Sequence, residues 1–126
     1  MLARGFTDDS ERMTATINQA DFEALADAAL EQIQLALEAS GSDADVESKA
    51  DGVIELTFED DSRMVINRHG AAREIWVAAR SGGFHFRWDG TAWRDTREGT
   101  ELFAALSKLV SAQGGTPVVL AARERP

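Results

Sequence analysis

The chain has 126 residues with 44% hydrophobic and 28% charged residues, which suits one domain with a single core and excludes wholesale disorder. Its net charge of −9 argues against a nucleic-acid groove or an anionic membrane surface as a partner, because both need cationic contacts. The absence of cysteine excludes disulfides, thiolate zinc sites and cysteine-ligated iron–sulfur clusters. Without a signal-peptide segment or an apolar run near the roughly 20 residues of a membrane span, we expect a soluble, cytoplasmic protein.

The first predicted element is a helix. Residues 1–17 lack sustained periodicity and are predicted to form a flexible tail before a domain over residues 18–120, with a second tail at 121–126. Asn18 is a suitable N-cap, and residues 40–42 (Ser-Gly-Ser) end the helix. Three- and four-residue spacing defines one core face, which consists of Phe22, Leu25, Ala26, Ala29, Leu30, Ile33 and Leu37.

A narrow acidic stripe lies on the same helix, away from the core face. It consists of Glu23, Asp27, Glu31, Gln34 and Glu38. Like charges four residues apart destabilise a helix by about 0.2–0.5 kcal/mol per pair. The wider charge pattern is also divided, with a net of −13 over residues 1–61 and +4 over residues 62–126. The stripe therefore favours a recognition function, and a solvated face kept for solubility is the alternative.

Short alternating segments separated by turns follow, and they predict an antiparallel meander. The predicted strands are residues 45–47 (at the sheet edge), 53–58, 63–67, 75–78, 84–88 and 92–94. Asp89-Gly90 predicts a type I′ hairpin turn.

The last predicted helix covers residues 100–112, and residues 117–120 are a candidate final extended segment. The order helix, antiparallel sheet, helix predicts an α+β fold. It is a two-layer αβ sandwich in which two helices pack on one face of the sheet and the other face meets solvent.

Most catalytic signatures are missing, so carboxylates are the main candidate site residues. His69 and His85 are expected to have surface or structural roles. The segment with Asp43, Asp45 and Glu47 fails as an EF-hand, because position six is Ser48 and position twelve is not glutamate. If this segment pairs at the sheet edge nearest the first helix, its acids could lie beside the helix stripe. Surface carboxylates bind hard cations weakly and also attract basic partners.

The open sheet face carries a candidate contact residue, Trp76. It alternates with Ile75 and Val77, so it should point away from the helices, near Asn67 and His85. Exposed tryptophan is frequent in protein interfaces. The alternative is a Trp76 half covered by arginine side chains and without a role.

Several segments together resemble the sheet signature of bacterial frataxins, the CyaY-type proteins. They are Val65-Ile66-Asn67-Arg68, Glu74-Ile75-Trp76-Val77-Ala78 and Ser81-Gly82-Gly83-Phe84-His85-Phe86. Asp21-Phe22, Leu56-Thr57-Phe58-Glu59, Trp93-Arg94-Asp95 and the 103–106 helix segment occur in the matching order, so the resemblance covers residues 18–120.

The resemblance implies an iron-binding regulator or adaptor of iron–sulfur cluster assembly that is not an enzyme. Its expected partners are the cysteine desulfurase and the iron–sulfur scaffold protein, and it is expected to be a monomer. Iron (Fe2+ or Fe3+) would bind weakly on an acidic ridge, which carries over to Glu23, Asp27, Glu31, Glu38, Asp43, Asp45 and Glu47. The implied partner-binding residues are Asn67, Trp76, Glu31 and Glu38.

The ridge is thinner than the family pattern, which puts loading with several irons in doubt. Gln34, Leu35 and Ala39 stand late in the first helix where relatives cluster carboxylates, and Lys49 enters the first strand. Two alternatives stay open. One is ferroxidase or iron-storage activity at the surface carboxylates, and the other is an acidic adaptor without a metal role.

Overall fold

The computed structural model describes residues 17–122, which form two helices and six strands. Helix α1 is Gln19–Ser40 and helix α2 is Leu102–Gly114. The strands between them are β1 (Asp45–Lys49), β2 (Val53–Thr57), β3 (Arg63–His69), β4 (Glu74–Ala79), β5 (Gly82–Trp88) and β6 (Trp93–Asp95). The predicted two-layer sandwich is confirmed.

Helix α1 begins and ends where its capping residues predict. The Asn18 side chain accepts a hydrogen bond of 2.8 Å from the Asp21 backbone N–H. At the other end Gly41 has a φ of +79°, a left-handed conformation in which glycine avoids the steric cost of a Cβ.

The six strands form one antiparallel sheet in sequence order, β1 to β6, as a meander. One turn prediction is wrong. Asp89 has no positive φ, and a four-residue loop joins Trp88 to its partner Trp93, with the Asp89 carboxylate accepting the backbone N–H groups of Thr91 and Ala92. The side chain of Asp89 builds this turn, so the backbone does not need the type I′ conformation. Asp51 and Gly52 instead show consecutive positive φ values of 65° and 75°, between β1 and β2.

The core lies between the helices and one face of the sheet. Alternate residues of β2 and its continuation face it, namely Ile54, Leu56 and Phe58, as the spacing predicts. Phe22 of α1 is fully buried and meets Trp93 of β6 edge-on, with ring centroids 6.1 Å apart. These contacts join the first helix to the far edge of the sheet.

Residues 117–120, predicted as an extended segment, join no strand and run beside α2. Hydroxyl groups of α2 bind this segment: the Ser111 and Ser107 oxygens accept the backbone N–H groups of Val118 and Leu120, each at 2.8 Å. Leu120 is buried in the core.

The predicted tails fall almost wholly outside the described residues. The exception at the N-terminal side is Ile17, which packs against the core and whose carbonyl accepts a 3.0 Å hydrogen bond from Arg73. Within residues 17–122, neither helix combines the length and apolar character that crossing a membrane requires.

Candidate functional site

The acidic stripe of α1 lies on the surface, as its spacing predicts. Glu23, Asp27, Glu31 and Glu38 are all exposed. Part of the stripe borders an open cleft of about 240 Å³ between α1 and the β1–β2 turn. Asp27, Glu31 and Gln34 line the helix side of this cleft, and Ser48, Lys49 and Gly52 are among the residues on the strand side.

Asp27 is one member of the stripe, and an arginine neutralises it. Arg68, at the end of β3, approaches its carboxylate to 2.6 Å, and the Asp27 side chain remains 58% exposed. Gly52 permits this approach, because a Cβ at this position would lie 2.9 Å from the Arg68 Nε. In the described part of the chain, Glu38 takes part in no ion pair, and Glu23 accepts a 3.2 Å hydrogen bond from Gln19. Glu23 and Glu38 therefore keep their charge available to a partner.

The acids of β1 do not join this stripe. Strand β1 pairs at the sheet edge, but the register sets Val46 and Ser48 opposite the buried Leu56 and Ile54. Asp45 and Glu47 consequently point to the open face, because side chains alternate along a strand. The expectation of one continuous ridge is thus not met: acids on α1 and acids on β1 occupy different surfaces, with Asp43 exposed between them.

Glu47 lies directly opposite Glu55 on the open face. Two cations compensate Glu55, with Lys49 Nζ at 3.3 Å and Arg63 Nη1 at 3.6 Å. Glu47 has no ion pair within residues 17–122. Lys49, which departs from the acidic pattern of the segment, therefore binds Glu55 of the neighbouring strand.

The carboxylates are too dispersed to form a preorganised metal site. Across residues 17–122, no three carboxylate or imidazole side chains group closely enough to hold one metal ion. Exposed carboxylate oxygens remain suitable for a hard cation that keeps most of its water ligands. Such donors suit weak and exchangeable binding of a hard cation.

Trp76 lies on the open face, as the alternation of β4 predicts. Its cross-strand partners are Asn67 of β3 and His85 of β5, the two residues that the sequence placed near it. Ile75 and Val77 on either side are buried under the helices. Trp76 is only partly exposed, because two imidazole rings cover it.

Those two rings belong to His69 and His85. The His69 ring lies 3.6 Å from the Trp76 ring and the His85 ring 4.3 Å, centroid to centroid and nearly parallel. His69 is the last residue of β3, and its Nδ1 accepts a 3.2 Å hydrogen bond from the Ala72 backbone N–H. The surface or structural role expected for both histidines agrees with this stacking.

Glu74 completes this cluster and was not among the predicted site residues. Its side chain is 6% exposed, accepts the indole N–H of Trp76 at 2.8 Å and forms an ion pair with Arg87. Burial by itself raises the pKa of Glu74, but the hydrogen bonds from Trp76 and Arg87 and the charge of Arg87 outweigh it and lower the pKa. The sequence could have predicted the ion pair of Glu74 with Arg87. If Trp76 pairs with His85 in the β4–β5 hairpin, Glu74 lies opposite Arg87.

Comparison with known proteins identifies the family. A model of the frataxin-like domain matches residues 15–116. The iron–sulfur cluster assembly protein CyaY of Dechloromonas aromatica is 53% identical over 104 residues, which cover 82% of this chain and 99% of that protein. The CyaY protein of Cupriavidus metallidurans is 49% identical over 107 residues, which cover 82% and 96%. The chain belongs to the frataxin family.

Solved frataxin structures agree with the fold. The frataxin of Psychromonas ingrahamii matches with a TM-score of 0.76 at 28% identity, over 83% of this chain and 99% of that one. A trimeric frataxin of Saccharomyces cerevisiae, complexed with ferrous iron, matches with a TM-score of 0.50 at 26% identity, over 80% and 89%. The acidic stripe of α1 and the open face around Trp76 are thus two surfaces of a frataxin sandwich.

Proposed function

We propose that this frataxin is an iron-binding regulator or adaptor of iron–sulfur cluster assembly and not an enzyme. The observation that carries the proposal is the exposed acidic stripe of α1 on a frataxin fold, with Glu31 and Glu38 on the surface. The CyaY relatives are named iron–sulfur cluster assembly proteins, which supports a role in iron–sulfur cluster assembly. The bacterial sources of these relatives support a cytoplasmic site of action.

The mechanism is electrostatic. The stripe docks on a basic surface of the cysteine desulfurase, and the open face with Asn67 and Trp76 provides a second contact, toward the desulfurase or the scaffold protein. Opposite charges raise the rate of encounter and fix orientation more than they raise affinity. The net charge of −13 over residues 1–61 supplies a field of the required sign.

Iron shares this surface as weakly held cargo. Exposed carboxylates of the α1 stripe, such as Glu23 and Glu38, would each hold iron through one or two oxygens and leave water in the other positions. A divalent cation on the stripe reduces its negative charge. Iron and the desulfurase therefore compete, and the affinity for the desulfurase falls as iron is added.

A reconstituted assembly reaction tests the function. Cluster formation on the scaffold is followed with desulfurase, cysteine and ferrous iron, with and without this frataxin. We expect the chain to change the rate in a concentration-dependent manner and the Glu31→Lys/Glu38→Lys variant to lose this effect. The same rate with and without the wild-type chain would exclude a regulatory role, whereas an affinity for the desulfurase that iron leaves unchanged would exclude the competition alone.

Ferroxidase activity is the second candidate, and the arrangement of carboxylates favours it less. Oxidation of ferrous iron by oxygen generally needs a fixed ligand set, whereas the α1 acids are exposed and dispersed. Oxygen consumption with ferrous iron discriminates the two functions. Turnover that disappears in Asp27→Ala/Glu31→Ala/Glu38→Ala would favour the ferroxidase.

A further inference from the structure

Three parallel rings form a continuous stack on the open face, across strands β3, β4 and β5. The centroid of Trp76 is 3.6 Å from that of His69 and 4.3 Å from that of His85, with interplanar angles of 9° and 8°. Atoms in contact need about 3.5–4.0 Å between them, so two imidazoles at these distances cannot share one face of the indole. Both faces of Trp76 are covered, and its edges remain for a partner.

The indole is also fixed at its nitrogen. Trp76 Nε1 donates to Glu74 Oε1 at 2.8 Å, and Arg87 donates to Oε2 through both Nε and Nη2. Because the Glu74 side chain is only 6% exposed, its carboxylate cannot turn toward water without breaking these bonds. Trp76 is therefore held from three directions before any partner arrives.

A side chain that is already fixed loses little conformational entropy when a partner binds. We propose that the docking element of the open face is the whole stack of His69, Trp76 and His85, with Glu74 as the residue that positions it. The proposal rests on the proposed function, which makes the open face a contact surface. It extends that function from a single tryptophan to a rigid cluster of four side chains.

The exposed chemistry of the stack indicates the kind of surface that it fits. Aromatic edges carry partial positive charge. The Nδ1 of His69 accepts the Ala72 N–H, so the neutral ring carries its own proton on Nε2, a donor. Arg87, 53% exposed beside the stack, adds a cation. The stack therefore offers donors and fits carbonyl or carboxylate oxygens of the partner.

The indole N–H resonance of Trp76 in the full-length chain reports on the positioning directly. Glu74→Ala should shift this resonance and speed its exchange with water, and Glu74→Gln, which keeps an acceptor oxygen, should restore slow exchange. We expect Glu74→Ala to bind the desulfurase–scaffold complex about five- to tenfold more weakly and Glu74→Gln to bind within about twofold of wild type. Arg94→Ala, on the same face but outside the stack, is the matched control and should change neither measurement.

Three variants distinguish a failure of the stack proposal from a failure of docking through the open face. His69→Ala/His85→Ala, which keeps Glu74, should also bind about fivefold more weakly, and it tests the proposal if Glu74→Ala does not fold. If Trp76→Ala weakens binding while Glu74→Ala and the double histidine variant bind as wild type, the positioned stack is wrong and open-face docking stands. If Trp76→Ala also binds as wild type, the open face is not a docking surface, and both this proposal and the second contact of the proposed function fail.

Discussion

Glu74 is a buried residue whose ionised form the fold stabilises. Its pKa is lowered from an ordinary value of 4.5, because hydrogen bonds from Trp76 and Arg87 and the Arg87 charge outweigh the opposing effect of burial. A carboxylate whose pKa is lower in the folded state stabilises the fold above its unfolded pKa. This contribution is lost as pH falls from about 4.5 through the folded pKa.

The pH dependence of unfolding tests this interpretation of Glu74. We expect Glu74→Gln to lower the free energy of unfolding by about 1–3 kcal/mol at pH 7. The difference from wild type should shrink below the ordinary pKa of 4.5, where the native carboxylate also becomes protonated. Urea unfolding at several pH values measures the free energy of unfolding of the wild type and of Glu74→Gln, with the exposed Glu98→Gln as control. A difference that stays constant down to pH 3 would contradict the account.

Phe58 tests the assignment of the core. It is 4% exposed, and its ring lies against the end of α2, where a Cβ added at Gly114 would approach it to 3.3 Å. Phe58→Ala should lower the free energy of unfolding by about 3–5 kcal/mol through lost burial and the cavity left behind. Val119→Ala, at a residue 81% exposed, should change it by less than about 0.5 kcal/mol. Equal midpoints in urea for the two variants would show that Phe58 is not a core residue.

Residues differ in how well the sequence predicts their surroundings. Alternation along β4 is enough to place Trp76 on the open face, because it depends only on neighbours in the chain. The stack of His69 on Trp76 depends on the turn after β3, where the Ala72 N–H orients the imidazole. The burial of Glu74 depends on Arg87, thirteen residues away. Such contacts require the strand register, which composition and periodicity do not supply.

At the scale of elements, the effect of the acidic stripe of α1 on the free energy of unfolding can be measured. Glu23 and Asp27, and Asp27 and Glu31, are like-charge pairs four residues apart, and each costs about 0.2–0.5 kcal/mol. Glu23→Gln/Glu31→Gln should therefore leave the free energy of unfolding unchanged or raise it by up to about 1 kcal/mol, most clearly at low salt. A loss of more than about 1 kcal/mol would show that these acids stabilise the helix.

Asp27→Asn is the contrasting variant on the same helix. It removes one member of both repulsive pairs but also the 2.6 Å ion pair with Arg68. Because exposed ion pairs contribute about 0–1 kcal/mol, we expect a smaller gain than for Glu23→Gln/Glu31→Gln, or a small loss. Thermal unfolding of the two variants at one ionic strength compares them. A clearly larger gain for Asp27→Asn would contradict the favourable role of the Arg68 contact.

The elements themselves were largely predictable, whereas the register between them was predictable around Trp76 but not at β1. Helix α1 and the strands follow apolar periodicity and capping residues, which act locally. The direction of the β1 acids depends on whether Val46 or Glu47 meets the buried Leu56, and a shift of one residue reverses it. The type I′ prediction for the Asp89-Gly90 turn was wrong because the Asp89 side chain accepts three hydrogen bonds from Thr91 and Ala92. A dipeptide rule takes no account of those bonds.

On the scale of the whole molecule, charge is divided unevenly along the chain. The acids of α1 face solvent at one edge, and most bases fall in the second half of the chain, with a net of +4 over residues 62–126. Several of these bases are already paired within the sheet, as Arg87 is with Glu74 and Arg94 with Asp89. The field of the molecule is therefore dominated by the acidic edge, which suits a basic partner.

The affinity for the cysteine desulfurase at two ionic strengths tests this central claim most directly. The matched pair is Glu31→Lys/Glu38→Lys on the stripe and Glu59→Lys/Glu98→Lys elsewhere, because both change the net charge equally at exposed residues. We predict that the stripe variant binds at least about tenfold more weakly than wild type, with a reduced salt dependence. The affinity of the control variant should fall by less than about threefold. Equal losses of affinity in the two variants, or no loss of affinity in either, would contradict docking through the acidic stripe.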